Sequence, residues 1–312
     1  MGKEMEIKKV AILGAGAVGC YMLWGLSQKD DIELSVIASG ERKERIEREG
    51  FYINQRIYRP VVKTPAEAHG ADLVIVSVKY NALKQAAKDI KEIVGDNSIV
   101  MSLMNGVDSE EIIASEIGEE RIVPALIKVA SERKENNVVF DAESTVGIVY
   151  GEKDGKSTER TRAIAKLFEG TGLHYRETDV ILPEMWSKFR LNVGNNQTQA
   201  MLSVGVGAYD DSEHVAAIRT GLVKELEAIA KAKGIDLSKA DVSSFKGSMV
   251  AKRARYSTLQ DLDAKRHTEV DMFSGAIVRM GKELGIPTPY NEFTYHMIKA
   301  LEEKNDGLFE YE

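Results

Sequence analysis

The stretch Val10-Ala11-Ile12-Leu13, followed at once by Gly14-Ala15-Gly16-Ala17-Val18-Gly19, decides the fold. Four apolar residues in a row, with no polar alternation, suit a parallel strand covered on both faces. The glycines that follow stand at the spacing of a dinucleotide-binding turn. Gly14 permits a tight turn, Gly16 lets a pyrophosphate approach the backbone, and Gly19 brings helix against strand. A helix opening at this turn offers free N–H groups and a positive dipole end to phosphate. A plain structural turn is the competing reading, and the surrounding strand–helix–strand pattern weighs against it.

Working outward, Leu34-Ser35-Val36-Ile37, Leu73 to Val78 and Ile99 to Leu103 read as further strands of the same buried kind. Helical stretches are expected between them at 15–28, 41–49, 81–94 and 108–117. The order is that of a Rossmann-type, doubly wound parallel sheet, an α/β fold. Val138 to Phe140, Val146 to Tyr150 and Leu173 to Arg176 are expected to add strands that close this sheet, and Glu152 to Arg160 reads as an exposed charged loop. From about Thr178 the texture changes. Pro183 to Leu202, Ser212 to Lys233, Ser238 to Ala254, Asp263 to Leu284 and Asn291 to Glu303 carry helical patterning. Two domains follow, a dinucleotide-binding domain over 1–178 and an all-helical substrate domain over 179–312.

Composition narrows the function. Lys plus Arg number 42 against 49 Asp plus Glu, so 42 − 49 gives a net charge of −7. That balance lacks the dense basic surface of sequence-independent nucleic-acid binding. The single cysteine, Cys20, cannot close an intrachain disulfide, and no Cys/His cluster has zinc spacing. No run is long and apolar enough to span a membrane. Glycines interrupt the apolar stretch after Lys8 and Lys9, which argues against a signal peptide. Glu6 stands where a myristoylation signal needs Ser or Thr. A cytoplasmic protein is expected.

The end of the second strand bears on the choice of nucleotide. Ala38-Ser39-Gly40-Glu41-Arg42-Lys43 has no acid at the strand tip to hold a ribose 2′-hydroxyl, and a basic pair lies just beyond. The missing acid and the basic pair favour NADPH over NADH, with Arg42 as a candidate contact; Ser39 can bond either ribose form, and Arg42 and Lys43 fit an exposed helix face equally well. Lys79, after the third major strand, is a second candidate for the adenosine side. In the other half, Lys188, Asn192 and Asn196 are spaced by fours, so one helix face carries all three. Amides are poor choices for the middle of a solvated helix, but their donors and acceptors suit a carboxylate, hydroxyl or carbonyl; on spacing alone, a solvated helix face with an ordinary lysine fits equally well. Asn195 and Gln199 lie near that face. Glu269 is expected within a helix, with Ser257 twelve residues before it. His267 reads as a surface or capping residue.

Taken together these segments resemble the ketopantoate reductase (2-dehydropantoate 2-reductase) family over nearly the whole length. The glycine loop, Val76-Ser77-Val78-Lys79, Asn105-Gly106 and Trp186-Ser187-Lys188-Phe189-Arg190-Leu191-Asn192 match its motifs in order. So do Asn196, Thr268-Glu269-Val270-Asp271, Gly275-Ala276-Ile277-Val278 and Gly285-Ile286-Pro287-Thr288-Pro289. The resemblance implies NADPH-dependent reduction of 2-dehydropantoate to pantoate in pantothenate synthesis. It implies that Lys188 donates the proton, that Glu269 positions Lys188 or the substrate hydroxyl, and that Asn192, Asn196 and Ser257 hold substrate. Asn105 would lie between nicotinamide and substrate, at a cleft between the domains. The partner expected is a small 2-oxo acid, and a homodimer is compatible with the sequence.

The chain also departs from that pattern. Gln197-Thr198-Gln199-Ala200 stands where the family usually has Pro, an aliphatic residue, Thr or Ser, then Ala. Ser39 replaces a common arginine, and Ala130 to Gly147 is charged where a glycine-rich segment is usual. A reductase of another 2-oxo or 3-oxo acid stays open as an alternative. So does a nucleotide-binding sensor without turnover, against which the retention of Lys188, Asn192, Asn196 and Glu269 argues.

Overall fold

The computed structural model describes residues 5–134, 136–241 and 251–309, with the backbone alone for 132–134. The chain packs as two compact units, Met1–Asn105 with Ser109–Ile181, and Gly106–Asp108 with Leu182–Glu312.

In the first unit, β1 (Lys9–Leu13), β2 (Glu33–Ile37), β5 (Val61–Lys63), β6 (Ala71–Val76) and β7 (Val94–Ser102) form one parallel sheet, ordered β5-β2-β1-β6-β7. Its strands are apolar on both sides because both sides are covered. On one face α3 (Leu83–Ile93) and α4 (Ser109–Ile117) bury Leu83, Ala86, Ile90, Ile93, Ile113 and Ile117 against Ala11, Leu13, Val74 and Val76. On the other lies α1 (Ala17–Leu26), apolar nearly all round. It is covered from behind as well, with Tyr21 and Trp24 edge-on to Phe140 at 5.2 and 5.5 Å. A helix without a polar face needs two partners to hide it.

The later strands do not close the main sheet as expected. Val138 to Phe140 falls in β10 (Asn137–Phe140), which joins β3 (Phe51–Ile53), β4 (Arg56–Tyr58) and β9 (Ser131–Lys134) in a separate sheet. β11 (Gly147–Tyr150) and β12 (Tyr175–Glu177) pair instead with β8 (Ala125–Lys128) in a third. The β3–β4 hairpin turns through Asn54 and Gln55, both at positive φ, as a tight turn between twisted strands requires. Asn54 Oδ1 accepts from the Phe140 N–H at 3.0 Å, which ties that turn to β10. The charged stretch from Glu152 is no plain exposed loop. Glu152 is buried, accepts from Arg160 Nε and Nη2 at 2.7 and 2.6 Å, and leads into α5 (Glu159–Phe168).

The described part of the second unit is helical. α6 (Ile181–Leu191), a π turn (Asn192–Asn196) and α7 (Gln197–Leu202) run as one continuous rod. α8 (Ala208–Asp211), α9 (Glu213–Ala232), α10 (Ser257–Asp263), α11 (Ser274–Leu284) and α12 (Pro289–Asn305) follow. The motif Gly285 to Pro289 is the α11–α12 turn. Gly285, at φ +68°, ends α11, and the Ile286 N–H reaches back to the Gly281 carbonyl at 2.8 Å. Glu225 on α9 then accepts from the Tyr290 and Asn291 N–H groups at 2.7 and 2.9 Å and caps α12. Two expected helices are shorter than read. Of Ser238 to Ala254, residues 242–250 lie outside the described residues and 251–256 are not helical. Of Asp263 to Leu284, only α10 at its start and α11 at its end are helix, and a turn separates them.

Candidate active site

In the first unit the predicted cofactor residues share the carboxyl edge of the parallel sheet. Gly14 to Gly19 follow β1, Ser39 and Arg42 follow β2, Lys79 follows β6 and Asn105 follows β7. That edge is where ligands bind in open α/β sheets. The glycines divide the work as their spacing suggests. Gly14 has φ +98°, and a Cβ there would stand 2.6 Å from the Ser77 carbonyl. A Cβ on Gly19 would run into the Gly14 carbonyl oxygen, so helix and turn are in direct backbone contact. At Gly16 a Cβ would meet nothing within 4 Å, and no side chain caps α1. Open space over an uncapped helix start fits a pyrophosphate. Ala15, Ala17 and Val18 are small or pack back on the core, which leaves the turn's backbone as the contact surface.

Beyond β2, Ser39 is exposed and its hydroxyl accepts no capping bond from the start of α2 (Gly40–Glu49). The basic pair separates. Lys43 is held by Glu67 at 2.7 Å, a pairing that pushes the Glu67 carboxyl down to about 2. Arg42 instead lines a cleft of about 580 Å³ with Arg45, Arg48 and Arg59, walled by Ala15 of the glycine turn. Sequence reading missed the last three. The spacing 42, 45, 48 marks one helix face and could have shown two of them, whereas Arg59 arrives from after the β3–β4 hairpin.

In the second unit, Lys188 and Asn192 are half-buried and Asn196 is buried, 7% exposed. Trp186, Phe189 and Val193 are buried away from that face. The π turn spans Asn192 to Asn196, and such turns are frequent at functional sites. Its carbonyls find side-chain donors. Thr198 Oγ1 donates to the Gly194 oxygen at 2.7 Å, and the Tyr209 hydroxyl to that of Asn195 at 2.5 Å. Arg190 and Asn195, the extra polar residues beside the face, turn to α9. Arg190 pairs with Glu227 at 2.9 Å, and Asn195 Oδ1 accepts from Arg219 Nε at 2.6 Å.

Glu269 is not on a helix. It is half-buried in the turn between α10 and α11, with its carbonyl accepting from the Met272 and Phe273 N–H groups at 3.0 and 3.2 Å. The helical pattern failed here because this turn is held by α12. Glu302, 2% exposed, takes both the N–H and the hydroxyl of Thr268 at 2.6 Å. Asp271 accepts from Tyr295 and Lys299 at 2.9 and 2.7 Å. Burial alone would raise the Asp271 carboxyl, but the bonds from Lys299 and Tyr295 outweigh it and leave it below its ordinary 3.8. The turn docks on the α6 rod through Phe189 against Phe273, ring centroids 6.4 Å apart. Ser257 is the exposed first residue of α10, which packs on α7 and the π turn. His267 is exposed and meets Asp306 at 2.8 Å, in keeping with a surface role. So the second unit gathers the Lys188 helix, Ser257 and the Glu269 turn. Asn105 belongs to the first unit, and Gly106, which follows it, to the second.

The three residues that depart from the family pattern are not on an exposed face at all. Gln197, Thr198 and Gln199 are each 0% exposed. Spacing alone places Gln199 near the polar face. The complete burial of all three depends on packing partners far along the chain.

A parallel sheet with this glycine turn, in one chain with a helical unit bearing a lysine and two amides on one rod, defines an oxidoreductase that works with a pyridine nucleotide on a CH–OH group. The family model Ketopantoate reductase PanE/ApbA matches residues 10–155, and Ketopantoate reductase PanE/ApbA C terminal matches 180–302. The chain belongs to the ketopantoate reductase family. It is 28% identical over 303 residues to a 2-dehydropantoate 2-reductase of Pyrococcus horikoshii, covering 96% of this chain and 99% of that one. A PanE/ApbA family ketopantoate reductase from Ralstonia eutropha JMP134 is similar in structure, with TM-score 0.80 and 28% identity over 96% of this chain and 99% of that one. A D-mandelate dehydrogenase solved with NADH shares the fold, with TM-score 0.80 and 24% identity over 95% and 99% of the two chains. Among the described residues no helix is long and apolar enough to cross a membrane, and no group of His, Cys, Asp and Glu could hold a metal ion.

Proposed function

We propose that the chain reduces 2-dehydropantoate to pantoate with NADPH, in the cytoplasm and as a homodimer, as a step of pantothenate synthesis. The observation that carries this reading is the rod bearing Lys188, Asn192 and Asn196, with the Ser257 helix and the Glu269 turn packed on it. Bound reduced nicotinamide supplies a hydride to the carbonyl carbon. Negative charge then grows on the carbonyl oxygen, and the Lys188 ammonium both stabilises it and gives up a proton from Nζ. Glu269 orients that ammonium or the new hydroxyl. Asn192, Asn196 and Ser257 offer donors and acceptors to the carboxylate and hydroxyl of the substrate, and Asn105 borders the reacting carbon.

Gly14, Gly16 and Gly19 shape the turn for the pyrophosphate, with Ala15, Ala17 and Val18 presenting backbone. Arg42 reads the 2′-phosphate, assisted by Arg45, because a guanidinium matches phosphate in two-pronged fashion. Ser39 bonds the ribose and Lys79 the adenosine side.

The test is a panel of branched and unbranched 2-oxo and 3-oxo acids, each offered with NADPH and with NADH while nicotinamide absorbance is followed. Oxidation of NADPH on adding 2-dehydropantoate, faster than with the other acids and faster than with NADH, is expected. Preference for another acid would move the assignment to that substrate. No turnover with any of them would overturn the reading in favour of a sensor. Light scattering at twice the chain mass would bear out the homodimer.

A further inference from the structure

Two fully buried carboxamides tie the rod to the segments beside it, Gln199 through backbone groups and Gln197 through a serine hydroxyl. Gln199, on α7, acts at both ends of its side chain. Its Nε2 donates to the Ala254 carbonyl at 2.8 Å, and its Oε1 accepts from the Tyr256 N–H at 2.7 Å. This is how a neighbouring strand would hold those residues, and the next residue along is Ser257. Gln197, two residues earlier, donates from Nε2 to Ser274 Oγ at 2.9 Å. Ser274 opens α11, directly after the turn that carries Glu269. Both glutamines are 0% exposed, and Ser274 is too.

Burying an amide costs free energy that an apolar side chain of the same size would not. Gln197 adds to that cost, since its Oε1 is buried with no hydrogen-bond partner among the described residues. A core selected only for packing would place Met or Leu at both positions. Gln199 does what an apolar residue could not: it satisfies backbone groups of a segment that has no ladder of its own, while Gln197 ties the rod to the Ser274 hydroxyl at the start of α11. The segments they hold begin the Ser257 helix and end the Glu269 turn, and both amides project from the rod that bears Lys188, Asn192 and Asn196.

We propose that Gln197 and Gln199 are positioning residues that set where Ser257 and Glu269 stand relative to the lysine–asparagine face, and so govern how the oxo acid is held. This rests on the reductase reading above. Neither glutamine touches substrate. Each acts through the segment it holds, and a small displacement of a reacting or binding group is enough to cost up to about 100-fold in rate.

The test compares wild type with Gln199→Met, Gln197→Met and the double variant Gln197→Met/Ser274→Ala. Three readouts are taken: hydrogen exchange at the Tyr256 amide, thermal midpoint, and kcat/KM for the oxo acid beside the dissociation constant for NADPH. Gln199→Met is expected to lose protection at Tyr256 while α9 and α11 keep theirs. It should lower kcat/KM for the oxo acid by about 10- to 100-fold and leave NADPH binding unchanged. The double variant removes both members of a buried polar pair, so its midpoint should recover towards wild type relative to Gln197→Met. Its kinetic defect should remain. Retained protection at Tyr256 in Gln199→Met would overturn the proposal, and so would kinetics that recover in step with the midpoint. A wild type that turns over no oxo acid would overturn the reductase reading, and the exchange result would still decide whether the clamp exists.

Discussion

The glycine turn of the first unit and the polar rod of the second are both short sequence motifs, yet they depend on the rest of the chain very differently. The turn is local. Gly14, Gly16 and Gly19 have their separate jobs because of backbone geometry within a few residues, with Ser77 and Val78, just after β6, as the distant contacts. The rod is not local. Its neighbours Ser257 and Glu269 lie dozens of residues away and are held by Gln199, Gln197, Glu302 and Lys299. Backbone chemistry can be read from spacing. Side-chain chemistry needs the packing that orients it.

Substitutions can sharpen that contrast. Within the turn, Gly19→Val should destabilise the fold by about 3 kcal/mol or more, because the new side chain strikes backbone that has nowhere to move. A denaturant midpoint equal to wild type would contradict the close contact. Gly16→Val, only three residues away, should fold normally and weaken NADPH binding by about 100-fold, some 2.8 kcal/mol at 1.4 kcal/mol per factor of ten. Fluorescence titration of the nucleotide separates the two.

A smaller effect is expected at the basic cleft. Replacing Arg42 and Arg45 together by Ala should weaken NADPH binding by about tenfold or somewhat more, the worth of a charge-assisted bond, and leave NADH unchanged. Equal losses for both nucleotides would remove the cleft from 2′-phosphate recognition.

The smallest effect concerns the Glu269 turn. Lys299→Ala should cost on the order of 1 kcal/mol, since the Lys299–Asp271 pair is only partly buried. Its pH dependence has a definite sign. The Asp271 carboxyl is lowered, so its contribution is present above 3.8 and fades as pH falls through the lowered value. Burial would lower the Lys299 ammonium, but Asp271 and Glu302 outweigh it and leave it raised. Its contribution is present below 10.5 and fades as pH rises through the raised value. The stability difference between wild type and variant should therefore be largest near neutrality and shrink at both extremes. A difference that grew on acidification would contradict the pairing.

The same contrast explains what could be read from the sequence. The five-stranded sheet's main strands, the first helices and the glycine loop are legible because unbroken β-branched runs and glycine spacing are local signals. The strand runs near Val138 and Val146 were visible, but their partners were not. Pairing of β10 with β3 is a contact across more than eighty residues, and the Asn54-Gln55 turn lacks the glycine that usually advertises a hairpin. α5 went unread because its capping box, Thr158 with Thr161, lies inside a charged run that resembles a loop. Glu269 was assigned to a helix because apolar residues recur around it, whereas Glu302 and Asp271 hold that stretch as a turn. The glutamines after Asn196 stand out in the sequence only as a departure from the family pattern, and their burial becomes visible only with the segments near Ala254 and Ser274 that meet them.

The most direct test of the reductase reading is a single turnover of Lys188→Ala with NADPH already bound and 2-dehydropantoate added in excess. Hydride transfer should slow by about 10²–10⁴, the range for losing a positioned proton donor, while the NADPH dissociation constant stays at its wild-type value. An undiminished rate would contradict the role of Lys188 and with it the chemistry assigned to the rod.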